Sequence, residues 1–221
     1  MTRLLLVLLL MVPLCGQAQD ALTLSDGSLL EYYVVTPRNS SETAWPLAIF
    51  MGGGRGDKAI AYTAFRYYGV ELARQGWVVA VPVSPDNRSF RGGNVAKVRE
   101  LIAALQDRDD VLDGKILIGG ISAGGMSALE IARRNPEDFL GVMGVPAVLD
   151  DTRGYESLKD MPVYLRIGSE DELGWAQRYE TTVANLQTLG VKLDADLVEG
   201  GPHMFGIDWE LVKPWLDSVR Q

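Results

Sequence analysis

The chain has 221 residues, of which 21 are Lys or Arg, 29 are Asp or Glu, one is His and one is Cys, giving a net charge of −8. Its hydrophobic fraction of 47% and charged fraction of 23% exclude disorder for the bulk of the chain. The acidic balance argues against nucleic-acid binding, and a single Cys excludes an internal disulfide or a thiolate metal cage. Any chemistry that needs an imidazole must therefore use His203.

Residues 1–18 are typical of a secretory signal peptide. Arg3 supplies a positive charge, residues 4–12 form an unbroken apolar run, and Gly16 and Ala18 are small residues suited to a cleavage site. The apolar run is about half the length of a stable membrane span, which needs roughly 20 residues. We expect cleavage near Ala18 and a secreted or periplasmic protein. Acylation of Cys15, which would make a lipoprotein, is the alternative.

Residues 19–221 are predicted to form a single domain in which strands and helices alternate. Short runs rich in Val, Ile and Leu, typical of strands buried on both faces of a sheet, predict strands at residues 31–35, 46–51, 77–81, 115–119, 140–145, 163–167 and 193–198. Amphipathic runs predict helices at residues 59–75, 95–107, 123–135, 175–189 and 209–219. This alternation indicates an α/β domain with a mostly parallel central sheet and helices on both faces. The connection over residues 147–161 is short, so we expect no large lid domain.

The strongest local motif is Gly-x-Ser-x-Gly at residues 120–124, which places Ser122 between a predicted strand and a predicted helix. In that context a serine lies on a sharp, strained turn, and its small neighbours let the strand and the helix approach each other. The hydroxyl then projects at the carboxyl end of the sheet, near the positive end of a helix dipole. The motif therefore predicts that Ser122 is a nucleophile. A glycine-rich turn with an incidental serine is the alternative.

A second loop, at residues 51–56, contains four glycines and follows another predicted strand. When a serine attacks an acyl carbon, the oxyanion that forms needs rigid donors, and glycine amides approach a substrate without obstruction. We expect the amides of Gly53 and Ala123 to form this oxyanion hole, with Gly54 as an alternative to Gly53. The spacing matches neither a Walker A loop nor a dinucleotide-binding loop. A plain tight turn is the other interpretation of this loop.

The candidate base and acid follow the last two predicted strands. His203 comes after the final strand, among glycines that would let it reach over the sheet edge, and Asp171 comes shortly after the strand before it. The order serine, acid, histidine is that of α/β-hydrolases rather than that of chymotrypsin or subtilisin. Glu170 and Glu172 are rivals for the acid, and Asp171 has an alternative role as the cap of the next helix.

The run KILIGGISAGGM at residues 115–126, together with Asn135-Pro136, is typical of one superfamily. Over residues 22–221 the chain resembles the α/β-hydrolases. Within them, it is most similar to the small lidless esterases related to dienelactone hydrolases and to polyhydroxybutyrate-depolymerase-like and feruloyl-esterase-like proteins.

Two departures from that group affect the expected chemistry. Many members have a His-Gly pair before the oxyanion loop, whereas this chain has Met51-Gly52. Dienelactone hydrolases use a cysteine nucleophile, whereas this chain offers Ser122, which argues against their particular lactone-ring hydrolysis.

The resemblance implies acyl transfer to Ser122 followed by hydrolysis of the acyl-enzyme. His203 would take the proton of Ser122 and deliver it to the leaving group, and Asp171 would hold the imidazole tautomer. This mechanism needs no metal and no organic cofactor.

The absence of a predicted lid indicates an open cleft and a small-molecule or polymer-linked ester as substrate. Aromatic and sulfur side chains near the predicted site are candidates to line this cleft or to belong to the core, namely Tyr62, Tyr67, Tyr68, Trp175, Met204 and Phe205. Because the fold hosts several activities, a serine peptidase or amidase and a catalytically inactive binding protein are the alternatives.

Overall fold

The computed structural model describes residues 18–38 and 41–220. The predicted signal peptide lies outside these residues apart from Ala18, where the first strand begins, and so does Cys15. Among the described residues, no helix is both long and apolar enough to cross a membrane.

Eight strands form the described sheet: β1 (Ala18–Thr23), β2 (Leu29–Val35), β3 (Leu47–Met51), β4 (Val78–Pro82), β5 (Ile116–Gly120), β6 (Phe139–Gly144), β7 (Pro162–Gly168) and β8 (Lys192–Val198). Their order is β1-β2-β4-β3-β5-β6-β7-β8. β2 runs antiparallel to β1 and β4, and the pairs from β4 to β8 are parallel. The sequence patterns predict seven of these strands to within two residues and miss β1, a mostly exposed edge strand in which Leu22 alone packs against the core.

The helices are α1 (Lys58–Ala64), α2 (Val70–Arg74), α3 (Asn94–Gln106), α4 (Ala123–Ala132), α5 (Tyr179–Thr188) and α6 (Trp209–Val219). A π-helical turn at Phe65–Gly69 joins α1 to α2, where the sequence predicts one continuous α-helix. A 3-10 turn at Ala176–Arg178 precedes α5, and another at Glu156–Leu158 lies in the connection from β6 to β7. That connection contains no inserted domain, as expected.

Alternate residues of the central strands face two apolar layers. On β3, Leu47, Ile49 and Met51 pack in the layer that contains α3, α4 and α5, whereas Ala48 and Phe50 pack in the layer with α1, α2 and α6. The prediction of helices on both faces of a mostly parallel sheet is therefore confirmed. Because parallel strands end at the same edge, the loops after β3, β5, β7 and β8 converge at the carboxyl edge of this sheet.

Candidate active site

The turn between β5 and α4 holds Ser122 in a strained backbone conformation, with φ 55° and ψ −119°. A non-glycine residue in such a conformation costs about 1–3 kcal/mol, so the surrounding structure must hold it there. The Ser122 amide donates a hydrogen bond to the Pro146 carbonyl at 2.8 Å, and its own carbonyl accepts one from the Met126 amide at 3.0 Å. The turn is therefore anchored to the segment that follows β6 on one side and to α4 on the other.

The two glycines of the motif are required by the close approach of backbone to backbone. A Cβ atom on Gly120 would lie 2.6 Å from the Met51 carbonyl oxygen, and one on Gly124 would lie 2.2 Å from the same atom. Real Cβ atoms essentially never show such contacts. The end of β3 is thus pressed against the start of α4, and this contact fixes the turn that carries Ser122.

The glycine loop after β3 lies directly against this turn. A Cβ atom on Gly53 would lie 3.3 Å from the Cβ of Ser122, so the two backbones are neighbours. Within residues 41–220, neither the Gly53 amide nor the Ala123 amide donates a hydrogen bond. The loop is braced by a bond from the Gly56 amide to the Gly53 carbonyl (2.9 Å) and by Asp57, whose carboxylate caps α1. This glycine loop is therefore a tight turn, and among the described residues its Gly53 amide has no hydrogen-bond acceptor although it lies beside Ser122.

The loops after β7 and β8 bring His203 and Asp171 together. The imidazole Nδ1 lies 2.7 Å from Asp171 Oδ2, and both side chains are buried. An ionised carboxylate only accepts hydrogen bonds, so Nδ1 is the imidazole nitrogen suited to donate to it. The other oxygen, Oδ1, accepts the Leu173 amide at 2.8 Å and the Trp175 amide at 3.4 Å. One oxygen of Asp171 thus binds the imidazole, and the other caps the following turn.

The neighbouring carboxylates contact different parts of the structure. Glu172 accepts the backbone amide of His203 at 2.8 Å, and this hydrogen bond lowers the pKa of the Glu172 carboxyl. Glu170 is exposed, and its backbone amide donates to the Gly201 carbonyl at 2.9 Å. Asp171 is the carboxylate that meets the imidazole, while Glu172 holds the backbone of the same histidine. The sequence does not reveal that second contact.

The four loops meet at one cleft of about 440 Å³, which is lined by Gly53, Ser122, Leu173 and His203 among other residues. The His203 Nε2 atom is buried and has no hydrogen-bond partner among the described residues, Ser122 included. In substrate-free hydrolases the bond between nucleophile and base is often long and tightens when substrate binds. The cleft is therefore lined by a strained serine, and by an imidazole and a Gly53 backbone whose Nε2 and amide have no hydrogen-bond partner among the described residues.

The predicted lining residues divide between two cavities and the core. Tyr67, Tyr68 and Phe205 line a second cavity of about 650 Å³ beside the cleft, and Met204 lines both. Trp175 lines neither one, because its ring packs edge-on against the His203 imidazole with centroids 4.9 Å apart. Tyr62 packs against Tyr33 and also lines neither one. Of the six candidates, Met204 therefore lines the catalytic cleft, three line the neighbouring cavity, and Trp175 and Tyr62 line neither.

The fold has counterparts among solved structures, although no protein-family model matches the chain. Est1E from Butyrivibrio proteoclasticus superposes with a TM-score of 0.68 at 18% identity, over 91% of this chain and 99% of that one. Dipeptidyl peptidase 4 from Porphyromonas gingivalis superposes with a TM-score of 0.67 at 15% identity, over 93% of this chain and 35% of that one. The chain has the α/β-hydrolase fold, as its motifs predict.

In sequence, the chain is similar to Esterase YjfP of Escherichia coli (strain K12), with 29% identity over 128 residues. The matched stretch is 51% of this chain and 49% of that protein, so it spans about half the length of the curated relative. The similarity to an esterase that the motifs predict is thereby confirmed. Because a dipeptidyl peptidase has a similar fold, the fold by itself does not determine the activity.

Proposed function

We propose that this chain is a serine carboxylic-ester hydrolase that acts through Ser122, His203 and Asp171. The observation that carries the proposal is the buried Asp171–His203 pair, whose imidazole lines the same cleft as the strained Ser122 turn. The similarity to Esterase YjfP favours an ester as the substrate.

In the proposed reaction, Ser122 Oγ attacks the carbonyl carbon of the ester while His203 Nε2 takes the hydroxyl proton. The Asp171 carboxylate keeps the proton on Nδ1 and stabilises the imidazolium that forms. The amides of Gly53 and Ala123 donate to the oxyanion of the tetrahedral intermediate. As the intermediate collapses, His203 Nε2 returns the proton to the leaving alkoxide, and an acyl-Ser122 ester remains. Water then attacks this ester with His203 as base, which releases the acid.

The proposal is tested by comparing wild type with Ser122→Ala and His203→Ala in turnover of p-nitrophenyl acetate and in labelling by a fluorophosphonate. We expect each variant to lose turnover by a factor on the order of 10³ or more, and Ser122→Ala to lose labelling entirely. Ser218→Ala, an exposed serine on α6, is the matched control and should behave as wild type. Equal turnover in wild type and Ser122→Ala would refute the proposal.

A serine peptidase is the second candidate, because the same fold occurs in a dipeptidyl peptidase. The measurement that separates the two uses aminoacyl p-nitroanilides and p-nitrophenyl esters with the same enzyme preparation. Turnover of the anilides without turnover of the esters would favour the peptidase. Absence of Ser122 labelling together with no turnover of either substrate would favour a catalytically inactive binding protein.

We also propose that residues 1–18 form a signal peptide and that the mature protein is exported. The sequence pattern of a positive charge, a short apolar run and small residues before the cleavage point supports this. Mass spectrometry of the exported form should find an N-terminus at Gln19. A diacylated N-terminal Cys15 would support the lipoprotein alternative, and an intact Met1 on cytoplasmic protein would contradict export.

A further inference from the structure

Beside the catalytic cleft lies the second cavity of about 650 Å³, here called the side cavity. It shares Thr63 and Met204 with the catalytic cleft, so the two spaces adjoin at these residues. An ester bound at Ser122 would therefore have the side cavity as its neighbour on this side of the cleft.

The walls of the side cavity are mainly apolar. They come from the π-helical turn, through Tyr67 and Tyr68, and from the segment that follows His203, through Phe205, Ile207 and Trp209. Among the lining residues Glu71 alone is charged, and its carboxylate is paired with Arg74. With aromatic faces and no lining cation, this space suits an uncharged alkyl or aryl group and disfavours a carboxylate or phosphate.

A buried hydrogen bond holds the two walls together. The Tyr68 hydroxyl donates to the Phe205 carbonyl at 2.9 Å, and the Tyr68 ring stacks on Phe50 with centroids 5.1 Å apart. Burial raises the pKa of Tyr68 to about 12, so the hydroxyl remains a donor over the whole range in which the protein would be assayed. The neighbouring Tyr67 is 70% exposed and is the accessible aromatic wall. The side cavity is thus formed before any ligand arrives.

Its position relative to His203 indicates which half of an ester it would receive. As general acid, His203 protonates the leaving oxygen, so the alcohol half must lie beside the imidazole. The wall of the side cavity includes Met204, Phe205, Gly206 and Ile207, the four residues directly after His203. We propose that the side cavity binds the alcohol half of the substrate, and that the preferred substrates are esters of apolar alkyl or aryl alcohols. This inference rests on the proposed ester hydrolysis.

The first test varies each half of the ester separately and measures acid release at constant pH. With the acyl group fixed as acetate, we expect kcat/KM to rise about ten-fold or more from ethyl acetate to hexyl acetate or benzyl acetate. With the alcohol fixed as ethanol, kcat/KM should show no comparable rise from ethyl acetate to ethyl hexanoate. A rise for hexyl alone indicates an alkyl substrate, and a rise for benzyl alone indicates an aryl one. A flat alcohol series, or a rise confined to the acyl series, would overturn the proposal.

The second test compares Tyr67→Ala with Tyr62→Ala, an exposed tyrosine on α1 that lines neither cavity. We expect the ratio of kcat/KM for hexyl acetate to that for ethyl acetate to fall about ten-fold in Tyr67→Ala and to keep its wild-type value in Tyr62→Ala. The ratio does not depend on the fraction of folded protein. An unchanged ratio in Tyr67→Ala would overturn the proposal.

A binding measurement separates failure of this inference from failure of the proposed function. Calorimetry with 1-hexanol and benzyl alcohol on Ser122→Ala needs no turnover, and we expect Tyr67→Ala to weaken that binding. If Ser122→Ala binds these alcohols but the wild type hydrolyses no ester, the proposed function is refuted and the side cavity remains an alcohol site. Hydrolysis of ethyl acetate without alcohol binding would refute the side cavity alone.

Discussion

The turn that carries Ser122 is held by the contact of backbone with backbone alone, whereas the loop that carries His203 combines such a contact, between Gly168 and Gly201, with side-chain hydrogen bonds. At the serine, Gly120 and Gly124 let β3 and α4 touch with no room for a Cβ atom. At the histidine, Asp171 binds the imidazole and Glu172 binds the backbone amide.

This difference predicts how each part of the site should fail. A side chain added at the serine turn must push two elements of the sheet layer apart, so stability and activity should fall together. A side chain removed at the histidine loop leaves the packing intact, so activity should fall while the fold persists. Each of the following changes tests one side of this contrast.

The largest effect is expected from Asp171→Asn. The amide oxygen of asparagine can still accept the Leu173 amide, so the turn keeps its cap. Its NH₂ group would face Nδ1 and favour the wrong imidazole tautomer, which should lower kcat by about 10⁴-fold with the unfolding free energy nearly unchanged. Ester turnover and urea unfolding measure the two quantities. The control is Glu170→Gln, and a kcat as low in this control as in Asp171→Asn would contradict the assignment of the acid.

Next comes Gly124→Ala. The new methyl group would meet the carbonyl oxygens of Met51 at 2.2 Å and Gly52 at 2.5 Å, and backbone cannot move aside cheaply. We expect the unfolding free energy to fall by about 3 kcal/mol, together with a loss of roughly a hundred-fold in turnover. Gly93→Ala is the control, because a Cβ atom there meets nothing within 4 Å. A stable Gly124→Ala protein with full activity would show that the serine turn does not depend on this contact.

A smaller effect is expected from Glu172→Ala, which removes the acceptor of the His203 amide. The loop can then shift the imidazole, and kcat should fall about ten-fold while KM changes little, since small misplacements of a catalytic group reduce the rate. Glu172→Gln keeps an oxygen acceptor and should restore most of the rate. If kcat falls equally in Glu172→Gln and Glu172→Ala, the charge of Glu172 rather than its hydrogen bond positions His203.

The smallest effect is expected from Tyr68→Phe, which removes the donor to the Phe205 carbonyl. The unfolding free energy at neutral pH should fall by about 1 kcal/mol. The pKa of Tyr68 is raised to about 12 from an ordinary value of 10.0. As the pH rises from 10 towards 12, the unfolded chain releases this proton and the folded chain keeps it, so the wild type loses stability. Urea unfolding at pH 7, 10 and 11 should show that the unfolding free energy falls less steeply with pH in Tyr68→Phe than in the wild type. An equal fall in the two proteins would contradict this account.

The contrast between the two parts of the site also explains how far the sequence could be interpreted. Ser122 and its glycines are contiguous, and the packing that they require is encoded in five consecutive residues. Asp171, by contrast, is one of three consecutive acids, and chain spacing cannot tell which of them meets an imidazole 32 residues away. The geometry separates them, with one carboxylate on the ring and the next on the backbone.

The same reasoning applies to the fold. Buried strands could be predicted because both of their faces are apolar, whereas β1 has exposed side chains and pairs only with β2 among the described strands. The π-helical turn at Phe65–Gly69 has the periodicity of an ordinary helix in sequence. One of its residues, Tyr68, makes a hydrogen bond to a carbonyl 137 residues further along, which no local pattern reveals.

The single histidine of the chain has a practical consequence for spectroscopy. Because His203 is the one imidazole in the whole sequence, isotope-labelled histidine would give a single set of ring resonances that needs no assignment. The ring lies edge-on to Trp175 at 4.9 Å, so ring-current shifts would report small movements of the loop. Substrate entry, tautomer and protonation at this imidazole could then be followed by NMR in the intact protein, with every histidine signal arising from one known place.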